Sequence, residues 1–357
     1  MYRIVRPTLF KQDPEQMHNF VSKGLSFVGN SFLKYPVKSF YSYNNEKLNS
    51  EINGLKFENP IGLAAGFDKN ANFAEGLSCL GFGFVEIGSV TYEPNEGNEK
   101  PRIFRLVEDE AAINRTGLNN EGSIKVNQKL QKINSKIIIG VNIAKTNRED
   151  LLNDKAIEDI CNCYKTIRGG DYIAINISCP NTKDGKTFEE TNSLESLLRE
   201  IKKLRLYDKR PMLIKISPDL EYKTLDNLLE ITENCGINGY ILTNTTKLRE
   251  NLKTSREKLE KIGKGGLSGK PLKEKSTDII KYVYKHLNSP FIIGSGGIFN
   301  AYDAYEKIKA GASLIQIYTG MIYEGPGIVK NIKKALVDLI EKDGINSIKE
   351  AVGIGTK

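Results

Sequence analysis

Eight short apolar runs, each followed by glycine or polar residues, punctuate the chain: Ile61–Ala65, Phe84–Gly88, Ile137–Ile143, Tyr172–Ile177, Met212–Ile216, Tyr240–Thr243, Phe291–Gly294 and Leu314–Tyr318. Most are continuous rather than alternating, as in parallel strands buried on both faces. Between them, apolar positions recur at helical spacing over Glu121–Ile133, Leu151–Ile167, Leu194–Leu206, Thr224–Asn234, Ser276–Leu287 and Ala301–Ala310. Strand alternating with helix predicts the α/β class and a closed parallel TIM (β/α)₈ barrel with an N-terminal helical extension. An open doubly wound sheet would carry a glycine-rich dinucleotide turn after its first strand. Gly62 and Gly66 lack the G-x-G-x-x-G spacing.

The pattern ahead of the barrel differs. Leu9, Phe10, Met17, Phe20, Val21, Leu25, Phe27, Val28, Phe32 and Leu33 suggest two short helices within residues 1–40. Six lysines and arginines (Arg3, Arg6, Lys11, Lys23, Lys34 and Lys38) face only Asp13 and Glu15 in that stretch. A basic amphipathic pair fits a membrane interface, and equally a helical cap packed on the barrel. Residues Tyr41–Asn59 read as a small β-ribbon. The expected organisation is a helical segment at 1–40, a catalytic barrel at 41–343 and a tail at 344–357.

Composition narrows the chemistry. The 357 residues carry a net charge of +8, which favours anionic partners, although most lysines suit a solvated surface. The five cysteines are Cys79, Cys161, Cys163, Cys179 and Cys235, an odd number in a large chain that fits a reducing compartment. No C-x-x-C pair exists, and His18 and His286 are the only histidines, so no metal centre is expected. No apolar run is long enough to span a bilayer.

Polar residues cluster after the strands, at the end where barrel enzymes carry their sites. They are Asp68 and Lys69, Ser89 and Thr91, Asn142 and Lys145, Asn176 to Asn181, Lys215, Thr243 to Thr245, Gly296 and Gly297, and Tyr318 to Gly320. Gly294–Gly297 and Tyr318–Met321 follow strands seven and eight, where barrels commonly bind phosphate. Gly265–Gly269 reads as a flexible loop after strand six. Lys215 at a strand end needs a negative partner and suits the electron-rich edge of a reduced flavin. Asn114, Asn142, Asn176, Asn181 and Asn244 offer paired donors and acceptors for a planar, amide-bearing, pyrimidine-like substrate. Lys69 could meet a carboxylate, and Cys179 is placed for a thiolate base.

The run Asn59-Pro-Ile-Gly-Leu-Ala-Ala-Gly-Phe-Asp-Lys69 resembles the start of the barrel in the dihydroorotate dehydrogenases. So do Lys100–Arg105, Asn114–Leu118, Asn176–Asn181, Thr243–Thr246, Gly265–Gly269, Ser295–Ile298 and Gln316–Thr319, in family order from about Tyr2 to Val329. The resemblance implies one FMN per subunit, touching Ala65, Gly66, Ser89, Asn142, Asn176, Lys215, Thr243, Gly269, Gly297, Tyr318 and Thr319. It implies substrate contacts at Lys69, Asn114, Arg115, Thr116, Gly117, Leu118, Asn176, Asn181, Asn244 and Thr245, with Cys179 as the base. The implied reaction, in de novo pyrimidine synthesis, removes a C5 proton and a C6 hydride from dihydroorotate, giving orotate.

The N-terminal helices resemble those of the class 2, quinone-using branch, with His18, Arg105 and Tyr318 along a quinone tunnel. Arg105 is expected in the loop after strand two. Three positions depart from that branch. Cys179 stands where serine is usual, the Thr182–Thr187 loop is unusually polar, and Leu118 replaces a common phenylalanine. Cys179 leaves open a soluble class 1-like enzyme using fumarate or NAD, and a non-catalytic basic barrel binding nucleic acid is the remote alternative. The expected partners are dihydroorotate and orotate, ubiquinone or menaquinone, and a membrane surface. No nucleic acid is expected, and the protein is expected to be a monomer. The expected location is peripheral, on the cytoplasmic side of a bacterial inner membrane, since no Arg- and Ser-rich transit segment precedes the first helix.

Overall fold

The computed structural model describes residues 2–178 and 188–356. Three helices open the chain, α1 (Tyr2–Phe10), α2 (Pro14–Gly29) and α3 (Lys34–Tyr41), followed by an antiparallel hairpin, β1 (Ser50–Ile52) and β2 (Leu55–Phe57). The rest alternates: β3 (Ile61–Leu63), α4 (Ala74–Ser78), β4 (Phe84–Val90), β5 (Ile103–Leu106), β6 (Ala111–Asn114), α5 (Ser123–Leu130), β7 (Ile138–Ile143), α6 (Asp154–Thr166) and β8 (Tyr172–Asn176). Then come α7 (Thr191–Leu204), β9 (Met212–Ile216), α8 (Tyr222–Asn234), β10 (Gly239–Leu242), α9 (Arg256–Ile262), β11 (Gly266–Gly269), α10 (Lys273–His286), β12 (Ile292–Ser295), α11 (Ala301–Lys309), β13 (Leu314–Ile317), α12 (Thr319–Glu324) and α13 (Ile328–Lys342).

Strands β3, β4, β7, β8, β9, β10, β12 and β13 close in that order into a parallel barrel, each beginning and ending within two residues of its predicted run. The helices bury the stripe their spacing predicts. In α7 it is Leu194, Leu197, Leu198 and Ile201. One end of the barrel is plugged. Phe84, Tyr172, Leu213, Ile241, Ile293 and Leu314 fill its interior, and Phe57 from the hairpin packs edge-on to Phe84 with ring centres 5.5 Å apart. Glycine is required at two places beside this plug. A side chain at Gly62 would overlap the Phe84 ring, and one at Gly140 the Tyr172 ring. Phe84 and Tyr172 open their strands, so the plug lies at the N-terminal rim and the C-terminal rim is left for a mouth.

Four expectations need correcting. The N-terminal segment forms three helices, because Asp13 caps α2 through the Glu15 and Gln16 amides with Pro14 in its first turn, and a separate α3 follows. The ribbon is confined to Ser50–Phe57, and Tyr41 ends a helix. The Gly265–Gly269 loop is largely a strand, since β11 pairs with β6, and β6 with β5, in an antiparallel three-stranded sheet outside the barrel. Arg105 therefore lies on β5 rather than in a loop. These strands are four residues each, too short for a periodic signal, and Gly-Leu-Ser-Gly carries no β-branched residue.

Truncating the plug tests the packing. Phe84→Ala should cost about 3–5 kcal/mol, seen as a lower urea midpoint. An unchanged midpoint would contradict the close-packed rim.

Candidate active site

A single cavity of about 790 Å³ opens at the C-terminal rim and runs outward beneath α1 and α2. Its lining joins residues from across the barrel: Ala65, Gly66 and Lys69 after β3, Ser89 on β4, Asn176 ending β8, Lys215 on β9, Thr243–Thr245 after β10, and Gly296–Gly297 after β12. Tyr318 and Thr319 follow β13, and the outer sheet adds Arg105, Asn114, Ser268 and Gly269. Thr116, Leu118 and Asn119 complete one wall.

The polar side chains hold one another in fixed orientations. Asn176 donates to Ser89 Oγ at 3.1 Å, and Ser89 donates to Asn142 Oδ1. Asn244 donates to Asn176 Oδ1 at 3.3 Å and to Ser178 Oγ at 3.0 Å. Lys69 donates to Asn119 at 2.5 Å. Thr319 donates to Ser268 at 2.8 Å, tying the last strand end to the outer sheet. The Asn114–Leu118 segment is clamped from behind. Asn98 donates to the Arg115 carbonyl, Asn147 to that of Gly117 and Asn120 to that of Leu118, at 2.9, 3.1 and 2.8 Å. Leu118 itself has a left-handed φ of 58°, so these amides stabilise a backbone a leucine does not choose.

Three predicted residues do not line the cavity. Asn142 is fully buried one layer below, where it reaches the site through Ser89. Arg115 turns away to the carbonyls of Ile262, Lys264 and Pro101 and covers the Phe104 ring. Gly117 contributes a carbonyl to the clamp. Cys179 and Asn181 lie outside the described residues.

The outer half of the cavity is aromatic. His18 packs edge-on to Phe67 with centres 5.0 Å apart, and Phe67 to Tyr318 at 5.8 Å, so one chain of rings connects the helices to the barrel mouth. Burial, and secondarily the Lys69 charge, lower the His18 pKa to about 4, which leaves its imidazole neutral near pH 7. Burial raises the Tyr318 phenol to about 12. Arg105 covers the Phe10 ring and donates to the Phe10 and Gln12 carbonyls at 3.3 and 2.8 Å. Arg102 grips Glu15 at 2.8 Å. Helix α2 crosses α4 where Gly29 meets Gly76, at a separation that no added side chain would fit. The N-terminal helices thus form one wall of the cavity. They also expose Ile4, Phe20, Phe27, Phe32, Tyr35 and Phe40.

Two buried groups escaped the sequence reading. Glu86 sits wholly buried inside the barrel, under the mouth. A charged residue within the apolar run Phe84–Gly88 was the available signal. Lys307 on α11 is also buried, lowered to about 7 by that burial, and donates to the Lys273 carbonyl and the Ser276 and Thr277 hydroxyls. Ser276 in turn donates to the Ser295 carbonyl at 2.6 Å, behind the cavity wall. An ordinary amphipathic helix pattern gave no hint of Lys307.

Comparison with known proteins agrees with this architecture. The family model described as "Dihydroorotate dehydrogenase" matches residues 47–340. A relative from Natronomonas pharaonis named "Dihydroorotate dehydrogenase (quinone)" is 40% identical over 355 residues, covering 99% of each chain. One of the same name from Christiangramia forsetii is 43% identical over 348 residues, covering 95% of this chain and 99% of its own. The crystal structure of an Eimeria tenella DHODH in complex with ferulenol superposes with a TM-score of 0.84 at 35% identity, covering 98% of each chain. On a family match that spans the barrel and relatives alike from end to end, this chain belongs to the dihydroorotate dehydrogenase family.

Proposed function

We infer that this protein oxidises dihydroorotate to orotate and delivers the electrons to a quinone. The observation that carries the reading is the continuity of one cavity, from Lys215 and Asn176 at the barrel mouth to His18 and Arg105 under the N-terminal helices. A soluble acceptor such as fumarate or NAD would need no such aromatic passage, so the class 1-like alternative is not favoured. The Natronomonas pharaonis relative named as a quinone enzyme matches 99% of this chain, so its match extends through the helical segment.

The residues present suit FMN. The mouth combines a buried ammonium at Lys215, a set of hydrogen-bonded amides and glycine loops after β12 and β13. Gly296 and Gly297 have positive φ and press against Leu272, Ser276 and Lys273, so a side chain at either would displace that wall. Bound FMN would take up the hydride and relay its electrons. Lys215, Asn176, Ser89 and Thr243 would hold the ring, while Gly269, Gly297 and Thr319 would hold the phosphate end.

Lys69 would meet the substrate carboxylate, and Asn114, Asn176 and Asn244 its amide edges. Thr116, Leu118 and Thr245 would close the pocket. Asn142, Arg115 and Gly117 would act from behind it. Asn181 would complete the pocket, and Cys179 would take the C5 proton. A thiol ionises more readily than a serine hydroxyl. The electrons would leave past Tyr318 toward the His18 and Arg105 wall. The exposed apolar residues of α1–α3 suit insertion into a bilayer surface. No helix among the described residues is long and apolar enough to cross a membrane. We propose peripheral attachment, on the cytoplasmic side of a bacterial inner membrane, as a monomer that presents this segment to ubiquinone or menaquinone.

Purified protein should be yellow, and anaerobic dihydroorotate should bleach the flavin band. A ubiquinone analogue should restore the band faster than fumarate; a faster response to fumarate would overturn the acceptor assignment. Cys179→Ala should lower flavin reduction by about 10²–10⁴-fold. In the unmodified enzyme that step should accelerate toward the thiol pKa and be blocked by iodoacetamide; normal reduction in the alanine variant refutes the role. Because His18 is depressed to about 4, quinone reduction should show no inflection near pH 6.5. The unfolded chain binds a proton at His18 below about pH 6.5, and the folded one only near 4. His18 therefore contributes stability that is lost as pH falls through that window, and His18→Gln should flatten that part of the melting-temperature profile.

A further inference from the structure

A carboxylate with no access to water must be paired or surrounded by donors. Glu86 has both. Its Oε1 accepts from Asn142 Nδ2 at 3.0 Å, and its Oε2 from Tyr172 OH at 3.0 Å and Gln316 Nε2 at 2.8 Å. The Lys215 ammonium lies 3.9 Å from Oε1. Burial, together with the Glu86 charge, holds the Tyr172 phenol well above its usual range, so it serves as a donor.

These contacts give Glu86 a place distinct from the cavity. Lys215 and Gln316 line the mouth, whereas Glu86, Asn142 and Tyr172 do not. The carboxylate is therefore one layer removed from any ligand. It reaches the mouth along two routes, through the Lys215 charge and through Asn142, Ser89 and Asn176.

We propose that Glu86 is a positioning and charge-balancing residue that acts through Lys215 to set how tightly the bound ring holds an added electron pair. The inference rests on the FMN reading above. A bare ammonium beside the ring would stabilise the negative charge that reduction brings. A carboxylate 3.9 Å behind it turns that point charge into a short dipole, whose field on the ring is weaker. The balance keeps the reduced ring ready to release its electrons to the second acceptor rather than retain them. The electron pair comes from the substrate and leaves to the quinone; Glu86 takes part in no bond change.

Glu86→Gln isolates the charge, because the surroundings can accommodate an amide. Gln316 Oε1 is buried with no partner among the described residues. Turning the Gln316 amide over would present that oxygen to a new Nε2 at position 86, and the Tyr172 hydroxyl, which donates to the carboxylate, would accept from that Nε2 instead. The measurement is the midpoint potential of the flavin in the holoenzyme, by anaerobic dye-coupled titration, with flavin content and melting temperature determined on the same sample.

In Glu86→Gln the ratio of reduced to oxidised flavin at a fixed potential should rise at least tenfold, a positive shift of about 30 mV for a two-electron couple, with flavin content unchanged. Glu86→Asp keeps the charge while disturbing the packing and should stay within threefold of the unmodified enzyme. A potential unmoved or more negative in the glutamine variant, or equal shifts in both variants, would overturn the proposal. If Glu86→Gln fails to accumulate, Tyr172→Phe carries the test. That change keeps the carboxylate and removes a neutral donor whose positive end faces it, so the potential should move in the negative direction by less than the glutamine shift, and a positive shift or none counts against the role. A yellow unmodified protein with an unmoved potential in the variants defeats this inference alone, whereas a colourless one defeats the FMN reading as well.

Discussion

Closing eight parallel strands on themselves forces eight C-terminal strand ends onto one rim, and everything chemical in this protein depends on that closure. Each strand end contributes only one to three polar side chains, and the ends that meet are far apart along the chain. Asn176 and Ser89 are 87 residues apart in sequence and 3.1 Å apart in space. The opposite rim is spent on Phe57, Phe84 and Tyr172, whose burial, worth about 1.5–3 kcal/mol for each large side chain, stops the barrel from being a pore. A plugged end and an open end make the mouth a dead-end pocket, from which water can be excluded once a flat ring occupies it.

The N-terminal helices convert that pocket into a passage. They are joined to the barrel by a Gly29–Gly76 crossing, by the Arg102–Glu15 pair and by Arg105 on the carbonyls of Phe10 and Gln12. The inward faces carry His18 and Phe10, while the outward faces leave large apolar side chains such as Ile4, Phe20, Phe27 and Phe40 in solvent. Both readings of the segment, cap and interfacial pair, thus describe the same helices from opposite sides. Held neutral by burial, His18 adds no charge to a passage suited to an apolar carrier.

Beneath the mouth the electrostatics are arranged in layers. Lys215 faces the cavity, Glu86 balances it, and Asn142, Tyr172 and Gln316 satisfy the carboxylate. Such a network is costly to build and rigid once built, because any missing partner would leave a buried polar group unpaired. The same logic holds around the Asn114–Leu118 segment, where Asn98, Asn120 and Asn147 replace the backbone partners a regular strand would have supplied.

From sequence alone the eight barrel strands, six of the helices between them and most cavity residues were legible, while the five-residue α4 was too short to show a period. Continuous apolar runs and polar strand ends are local signals, and closure then dictates where those ends meet. The outer sheet was not legible, because β5, β6 and β11 are four residues long and β11 finds β6 across more than 150 positions. Nor could sequence separate Asn142, Arg115 and Gly117, which support the site from behind, from neighbours that line it. Which way a side chain points at a strand end depends on the strand beside it. Glu86 shows the same division: its charge is plain in the sequence, but only the folded barrel supplies the lysine and three donors that explain why a carboxylate is buried there.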